Sequence, residues 1–348
     1  MARGEKALAE HRYNHARPDF QAILQDEPAN RTAQVALVRI HIAQQDPVAA
    51  LELLDELAKS RTQPRDAGLL RGEADLMAGR FDDALAAVAN DMTAEAWRIR
   101  AIAHTGRNEL VAVASAFESG RRATGPRARL LADFAHFRME QGDLAAATAL
   151  AQQAVRANPT DLSALLAVAD VAMATSRFRP ALGWYARASR KYPESRPALL
   201  GRITALAELK RFDQARALVI AGRAASPQDT DLLFFEARLA AEAKNWTKAR
   251  DLLQPYETSL ETMPLANALY AEALMRLGQK DQARVRLSSQ LLREPDNCRV
   301  RVLLGEVKLA LEDADGALET LAPAADWPDA GARERNLLAE AEARASGG

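Results

Sequence analysis

The sequence predicts an all-α chain, an α-α solenoid in which about ten helix-turn-helix units of 34 residues follow one another and a last helix caps the end. Three columns of residues predict it. Phe178, Phe212 and Trp246 recur at a step of 34; so do Pro159, Pro193 and Pro227, and so do Ala181, Ala215 and Ala249. Alanine is common in the chain, but the aromatic and proline columns keep the same phase independently. Carried both ways, the small-residue column runs through Ala16, Ala50, Ala84, Val113, Ala147, Ala283 and Ala317, with one short step of 29 between Ala84 and Val113.

Each unit has the periodicity of two helices. After Asp161, Leu165, Val168, Ala169 and Ala172 stand at three- and four-residue spacing on one helical face, which defines helix A. A polar turn, Thr175 to Arg177, leads to Phe178, Ala181, Leu182, Tyr185 and Ala188, a second 3.6-residue pattern and helix B. Tyr192 then precedes Pro193, which biases it away from the α region and ends the helix.

In chain order, the first unit runs from Met1 to Pro28 with Tyr13, Ala16 and Phe20 facing inward, and Pro18 sits early in helix B, where a missing N–H costs least. The second, Ala29 to about Pro64, places Pro47 near a helix start. In the third, Asn90, Asp91 and Thr93 mark the end of a shortened helix B, so a bend is expected between Asn90 and Trp97. The fourth ends in a stretch with Gly120, Gly125, Pro126 and four arginines, readable as a basic contact loop or as a solvated turn. Units five to nine are expected to be the most regular. The tenth, from Cys298 to Asp326, leads through Trp327 to Asp329 into an amphipathic helix, Ala332 to Ala345, whose Leu337, Leu338 and Ala341 would cover the last unit ahead of a flexible tail. The expected organisation is a single solenoid over 1–348, with segments 1–89, 90–126, 127–329 and 330–348.

Hydrophobic residues make up 48% of the chain and aromatics only 5%, a composition for closely packed Ala–Leu helices and against disorder. The net charge of −1 gives no global field to draw in nucleic acid or an acidic membrane surface. A lone Cys298 excludes an internal disulfide and a multi-cysteine metal site. No apolar run is long enough to span a bilayer. Because Gly4 and Ala16 already occupy the helix A and helix B columns, Met1 falls inside the first helix A. The expectation is that a preceding segment, a secretion signal, lipoprotein anchor or membrane tether, was removed, giving a periplasmic or envelope-anchored protein, with a cytoplasmic one as the alternative.

No catalytic constellation is present: no glycine-rich phosphate loop, no GxSxG elbow and no HExxH. His11 and His15 stand at ligand spacing but straddle a turn without a third ligand, which makes them turn histidines. Asp82 and Asp83 suit a helix N-terminus. The expectation is no enzyme, no metal and no cofactor.

The pattern resembles the tetratricopeptide repeat family, over nearly the whole chain. Small residues where helix A approaches helix B are Gly4, Gly72, Ala101, Ala135, Ala169, Ala237, Ala271 and Gly305; the turn aromatic is Tyr13, Phe81, Phe178, Phe212 and Trp246; Trp97 alone matches the family's first tryptophan. The closing proline is Pro28, Pro159, Pro193, Pro227 and Pro295, whereas Val38 and Ile203 depart at the small position and Lys280 and Ala314 at the aromatic one. The resemblance implies a right-handed superhelix with helix A on its concave side. The groove lining it implies is Arg39, Glu73, Arg98, His136, Met139, Asp170, Met173 and Thr204, continued by Phe234, Arg238, Glu272, Met275 and Glu306. Where the chaperone-binding branch of the family clamps a carboxylate, this chain has Val35, Leu69, Leu166, Leu200 and Ala268, so that clamp is absent.

The function expected is a non-enzymatic scaffold holding a peptide or extended segment of another protein, chiefly through Phe234, Met173 and Met275. Asp170, Glu272 and Glu306 would favour basic residues in the ligand. The alternative is a cytoplasmic regulator or the regulatory arm of an enzyme complex. No nucleic-acid partner is expected, and the oligomeric state is left open. The opening stretch is also similar to the start of bacterial envelope lipoproteins with these repeats that accompany exopolysaccharide or pilus export.

Overall fold

The computed structural model describes residues 2–59, 64–323 and 331–346. The chain divides into two compact lobes, residues 1–211 and 212–348. The first holds α1 (Ala2–Ala9), α2 (Tyr13–Asp26), α3 (Arg31–Ala43), α4 (Pro47–Ala58), α5 (Ala67–Met77), α6 (Phe81–Ala87) and α7 (Ala94–Gly106), then α8 (Leu110–Arg122), α9 (Ala128–Glu140), α10 (Leu144–Ala157), α11 (Leu162–Ala174), α12 (Phe178–Lys191) and α13 (Arg196–Glu208). The second holds α14 (Phe212–Ala225), α15 (Thr230–Glu242), α16 (Trp246–Leu253), α17 (Pro264–Arg276), α18 (Lys280–Arg293), α19 (Cys298–Ala310), α20 (Ala314–Leu321) and α21 (Ala332–Ser346). Odd-numbered helices up to α19 are the A helices and even-numbered ones the B helices. The described residues contain no β-strand.

One backbone device makes every A–B turn. A residue in the left-handed region closes each A helix: His11, Gln45, Gly79, Asn108, Gly142, Ser176, Lys210, Lys244, Gly278 and Glu312. The following N–H donates back five residues, as from Asp46 to the carbonyl of His41 at 2.9 Å or from Arg177 to that of Ala172 at 2.7 Å. This six-to-one bond is the Schellman closure, which satisfies carbonyls left over at a helix end. The donor then serves as N-cap of helix B; where it is Asp46, Asp143, Asn245 or Asp313, its side chain accepts from the first turn. The left-handed residues are spaced by 34 except for 29 between Gly79 and Asn108, which locates the short step from turn to turn.

The buried column follows the sequence frame. Ala16, Ala50, Ala84, Val113, Ala147, Ala181, Ala215, Ala249, Ala283 and Ala317 are all fully buried. Close approach explains the glycines of the small column: a Cβ on Gly305 would lie 2.5 Å from Leu321 Cγ. It also explains the departure at Ile203. In α13 the approach is made two residues earlier, at Gly201, where a Cβ would come 2.3 Å from Tyr185 Cε1, and Ile203 is then free to fill core.

The shortened helix is α6, seven residues ended before Asn90, and Thr93 caps α7 as expected. The carbonyls that follow its end are collected by the Arg100 guanidinium, which bonds Asp91 O at 2.7 Å and Ala89 O at 3.2 Å while lying 4.5 Å over the Trp97 ring. The arginine-rich connection is anchored too: Thr124 O accepts from Ala94 N at 2.8 Å, and a Cβ on Gly120 would strike Leu130. Regularity through units five to nine does not hold throughout. Helix α16 stops at Leu253, because Pro255 cannot donate to a fourth turn, and its remaining length is folded as the 3₁₀ turns Gln254–Tyr256 and Ser259–Thr262. The 34-residue count is preserved, so the period conceals the break. Helix α21 lays Leu337, Leu338 and Ala341 against Leu309, Ala317 and Leu321. Trp327–Asp329 and the last two residues lie outside the described residues.

Candidate functional site: two inner faces

In the first lobe the inner face of α5, α7 and α9 is closed by an ion-pair network. The guanidinium of Arg98, 3% exposed, contacts Glu95 at 2.9 Å and Asp133 at 3.0 Å and also pairs with Glu73. Arg129 completes the network with 2.7 Å contacts to both Glu73 and Glu95. Burial, with Arg129 adding repulsion, draws the Arg98 pKa down to about 10, so the residue stays charged near neutrality. Burial likewise raises Glu95. One of the four arginines of the basic connection, Arg129, is therefore engaged internally.

Beside this network, His136 Nε2 lies 2.9 Å from Asp170 Oδ2, and Tyr185 donates its hydroxyl to Asp170 Oδ1. The hydrogen bond to Asp170 raises His136, whereas burial and then Asp170 push Tyr185 upward. Of the remaining predicted lining in this lobe, Arg39 pairs with Asp66 at 2.8 Å, Thr204 bonds its own helix at Leu200 O, and Met139 and Met173 pack half-buried on core clusters. Four of the eight predicted residues of this lobe are thus paired with each other, Glu73 with Arg98 and His136 with Asp170. Among the described residues no group of three His, Cys, Asp or Glu side chains is placed to hold a metal ion.

In the second lobe α15, α17, α19 and α21 surround an open groove of about 800 Å³. Leu269, Val302 and Leu303 form its floor with Trp246 at one side, while Arg238, Lys244, Glu272, Arg299 and Arg333 supply charge around it. Two residues of the predicted lining, Arg238 and Glu272, stand there. Met275 does not: it is packed into the core cluster, 7% exposed, and Phe234 packs half-buried against the same cluster. The burial of Met275 corrects the expectation that it offers a main apolar contact, and Phe234 stands outside the groove lining.

The expected preference for basic ligands also loses its footing. Glu306 contacts Arg276 at 3.0 Å and Arg333 at 2.5 Å, Glu272 contacts Arg276 and Arg299 at 3.8 Å, and Asp170 is held by His136 and Tyr185, so these carboxylates are already neutralised. Trp246 was legible as a turn aromatic, but Leu269, Arg299 and Val302 were not singled out. Arg333 could be placed only once α21 was seen to run beside α19.

No described helix is long and apolar enough to cross a membrane. The paired helices, the common turn closure and the inner faces built from alternate helices define a helical-hairpin repeat protein. The chain belongs to the tetratricopeptide repeat family: two models with that description match residues 7–73 and residues 133–196 and 200–259, together more than half of the chain. Solved structures agree. A tetratricopeptide repeat protein from Parabacteroides merdae superposes with a TM-score of 0.58 at 16% identity, covering 72% of this chain and 98% of its own. PilW, described as a widely conserved type IV pilus biogenesis factor, gives 0.53 at 19% identity over 62% of this chain and all of its own. Pseudomonas aeruginosa PilF gives 0.51 at 17% identity over 61% and 97%. No curated protein sequence matches the chain.

Proposed function

We propose that this protein is a non-enzymatic scaffold that holds an extended segment of a partner protein in the groove of its second lobe. The observation that carries this reading is the groove itself: an apolar floor of Leu269, Val302 and Leu303, with charged side chains around it, is the arrangement that binds a chain by apolar contact and orients it by polar groups. The repeat family supports a protein-interaction role. The finer placement, assembly of a bacterial envelope export system for exopolysaccharide or pili, rests on the similarity of the opening stretch; PilW shares the fold, and the fold alone.

Lys244 and Arg299 border the groove and are exposed, so reversing their charge leaves the core intact. The double variant Lys244→Glu, Arg299→Glu is expected to reduce partner capture by the immobilised protein at least severalfold with an unchanged melting midpoint. Undiminished capture by the folded variant would exclude this groove as the binding surface.

A further inference from the structure

The first lobe comes back on itself. Its first A–B turn, between α1 and α2, sits against the connection between α12 and α13, about 180 residues away. The His11 and Tyr192 rings lie 4.2 Å apart at 35°, the Asn14 N–H donates to Glu194 Oε2 at 3.0 Å and Oε1 at 3.3 Å, and His15 Nδ1 is 3.7 Å from Glu194 Oε1. Tyr192 is itself held by donating its hydroxyl to Thr160 O at 2.7 Å. An A–B turn and a B–A connection lie on opposite edges of a ribbon of helical hairpins, and they can meet only where the ribbon has come round to its own start.

The repeat rule does not call for this contact. In the left-handed turn column the other nine residues are Gln, Gly, Asn, Ser, Lys and Glu, and His11 alone carries an aromatic ring. In the position before the closing proline, Glu27, Asn158, Ser226 and Glu294 are polar and Tyr192 alone is aromatic. The two exceptions to their columns touch each other. Chance departures in columns so far apart in sequence would have no reason to coincide in space.

We propose that this contact is a latch that holds residues 1–211 as a coil closed on itself, and that its release opens the inner face now sealed around Arg98. Closure and sealing are parts of one geometry: drawing the first turn onto the α12–α13 connection requires the inner helices to converge, and convergence places Arg98 of α7 between Glu73 of α5 and Asp133 of α9. A partner that separates the first turn from Tyr192 and Glu194 would expose a second inner face. The inference is independent of the groove in the second lobe.

The test uses the full chain with Cys298→Ser and spin labels at Gln21→Cys on α2 and Arg190→Cys on α12, both exposed positions. The closed coil gives one narrow distance distribution. His11→Gly with Glu194→Ala removes the ring and the acceptor while glycine keeps the left-handed turn. The expected result is a broader, longer distribution at unchanged helicity, with modification of Arg98 by phenylglyoxal rising at least severalfold. An unchanged distribution overturns the latch, and a lengthened one with Arg98 still protected overturns the coupling. Should the double variant lose helicity, His11→Gly alone must still broaden the distribution, and its failure to do so is equally decisive against the proposal.

Discussion

The same repeat builds two different inner faces, and one column of the sequence shows why. At a step of 34 from Arg98 stand Ala132, Leu166, Leu200, Phe234, Ala268 and Val302. In α7 of the first lobe this position presents a long cation, Arg98, to acidic neighbours on α5 and α9, and the face there fills with its own ion pairs. In the second lobe Val302 at the equivalent place in α19 is short and apolar, and it forms part of the floor of the 800 Å³ groove. The scaffold fixes where a side chain stands; length and charge at that place decide whether the face is open or already occupied.

The sharpest way to break this comparison is to truncate one arginine in each face. Arg98→Ala removes the cation of Asp133 and leaves Glu73 and Glu95 with Arg129 alone in a largely buried setting, and removing one partner of such a network costs on the order of 3 kcal/mol. Arg276→Ala in the second lobe removes a contact to Glu306 from a side chain 38% exposed, and an exposed pair of this kind contributes about 0–1 kcal/mol. Urea unfolding midpoints read the difference directly. Equal losses would mean that the first face is not sealed as described.

Histidine titration sharpens the contrast within the first lobe. The hydrogen bond to Asp170 raises His136 above 6.5, so the folded chain holds that proton more tightly than the unfolded chain. Its contribution to stability is fully present below pH 6.5 and is lost as pH rises through the raised value. His11 is opposite: burial and then Lys191 lower it below 6.5, so its contribution is present above that value and is lost as pH falls through the lowered one. Melting midpoints should accordingly fall on the alkaline side in a manner abolished by His136→Gln, and on the acid side in a manner abolished by His11→Gly. An alkaline slope that survives His136→Gln would remove the His136–Asp170 pair from the account.

Much of the architecture was legible in the sequence because a repeat states its rule many times. The buried column, the shortened α6 and the capping face of Leu337, Leu338 and Ala341 all follow from spacing and amphipathicity. Two kinds of feature were not. Pro255 breaks α16 without altering the count, since 3₁₀ turns take up the same number of residues, and only the proline itself could have signalled it. The state of the inner faces was hidden for a different reason. Glu73, His136 and Asp170 are read from the repeat frame as groove lining, but whether such residues face a ligand or each other depends on distances between neighbouring hairpins, which a one-dimensional frame does not contain. The contact of His11 with Tyr192 is more remote still and depends on the accumulated rotation of the repeats between them.

The smallest expected effect tests what the two lobes share. Each A–B turn needs one left-handed residue, yet Ser176 at φ 55° and Glu312 at φ 65° carry a Cβ there, one in each lobe and both exposed. An L-residue in that region costs about 1–2 kcal/mol, and glycine relieves it while adding about 0.5–1 kcal/mol of unfolded-chain entropy. The net gain for Ser176→Gly and for Glu312→Gly is therefore about 0.5–1 kcal/mol, visible as a modest rise in the unfolding midpoint. The two gains should be alike, because the Schellman closure is common to both lobes and involves neither inner face. A gain at one turn with a loss at the other would show that the lobes differ in their turns as well as their faces, and the contrast drawn from Arg98 and Val302 would then no longer explain the difference by itself.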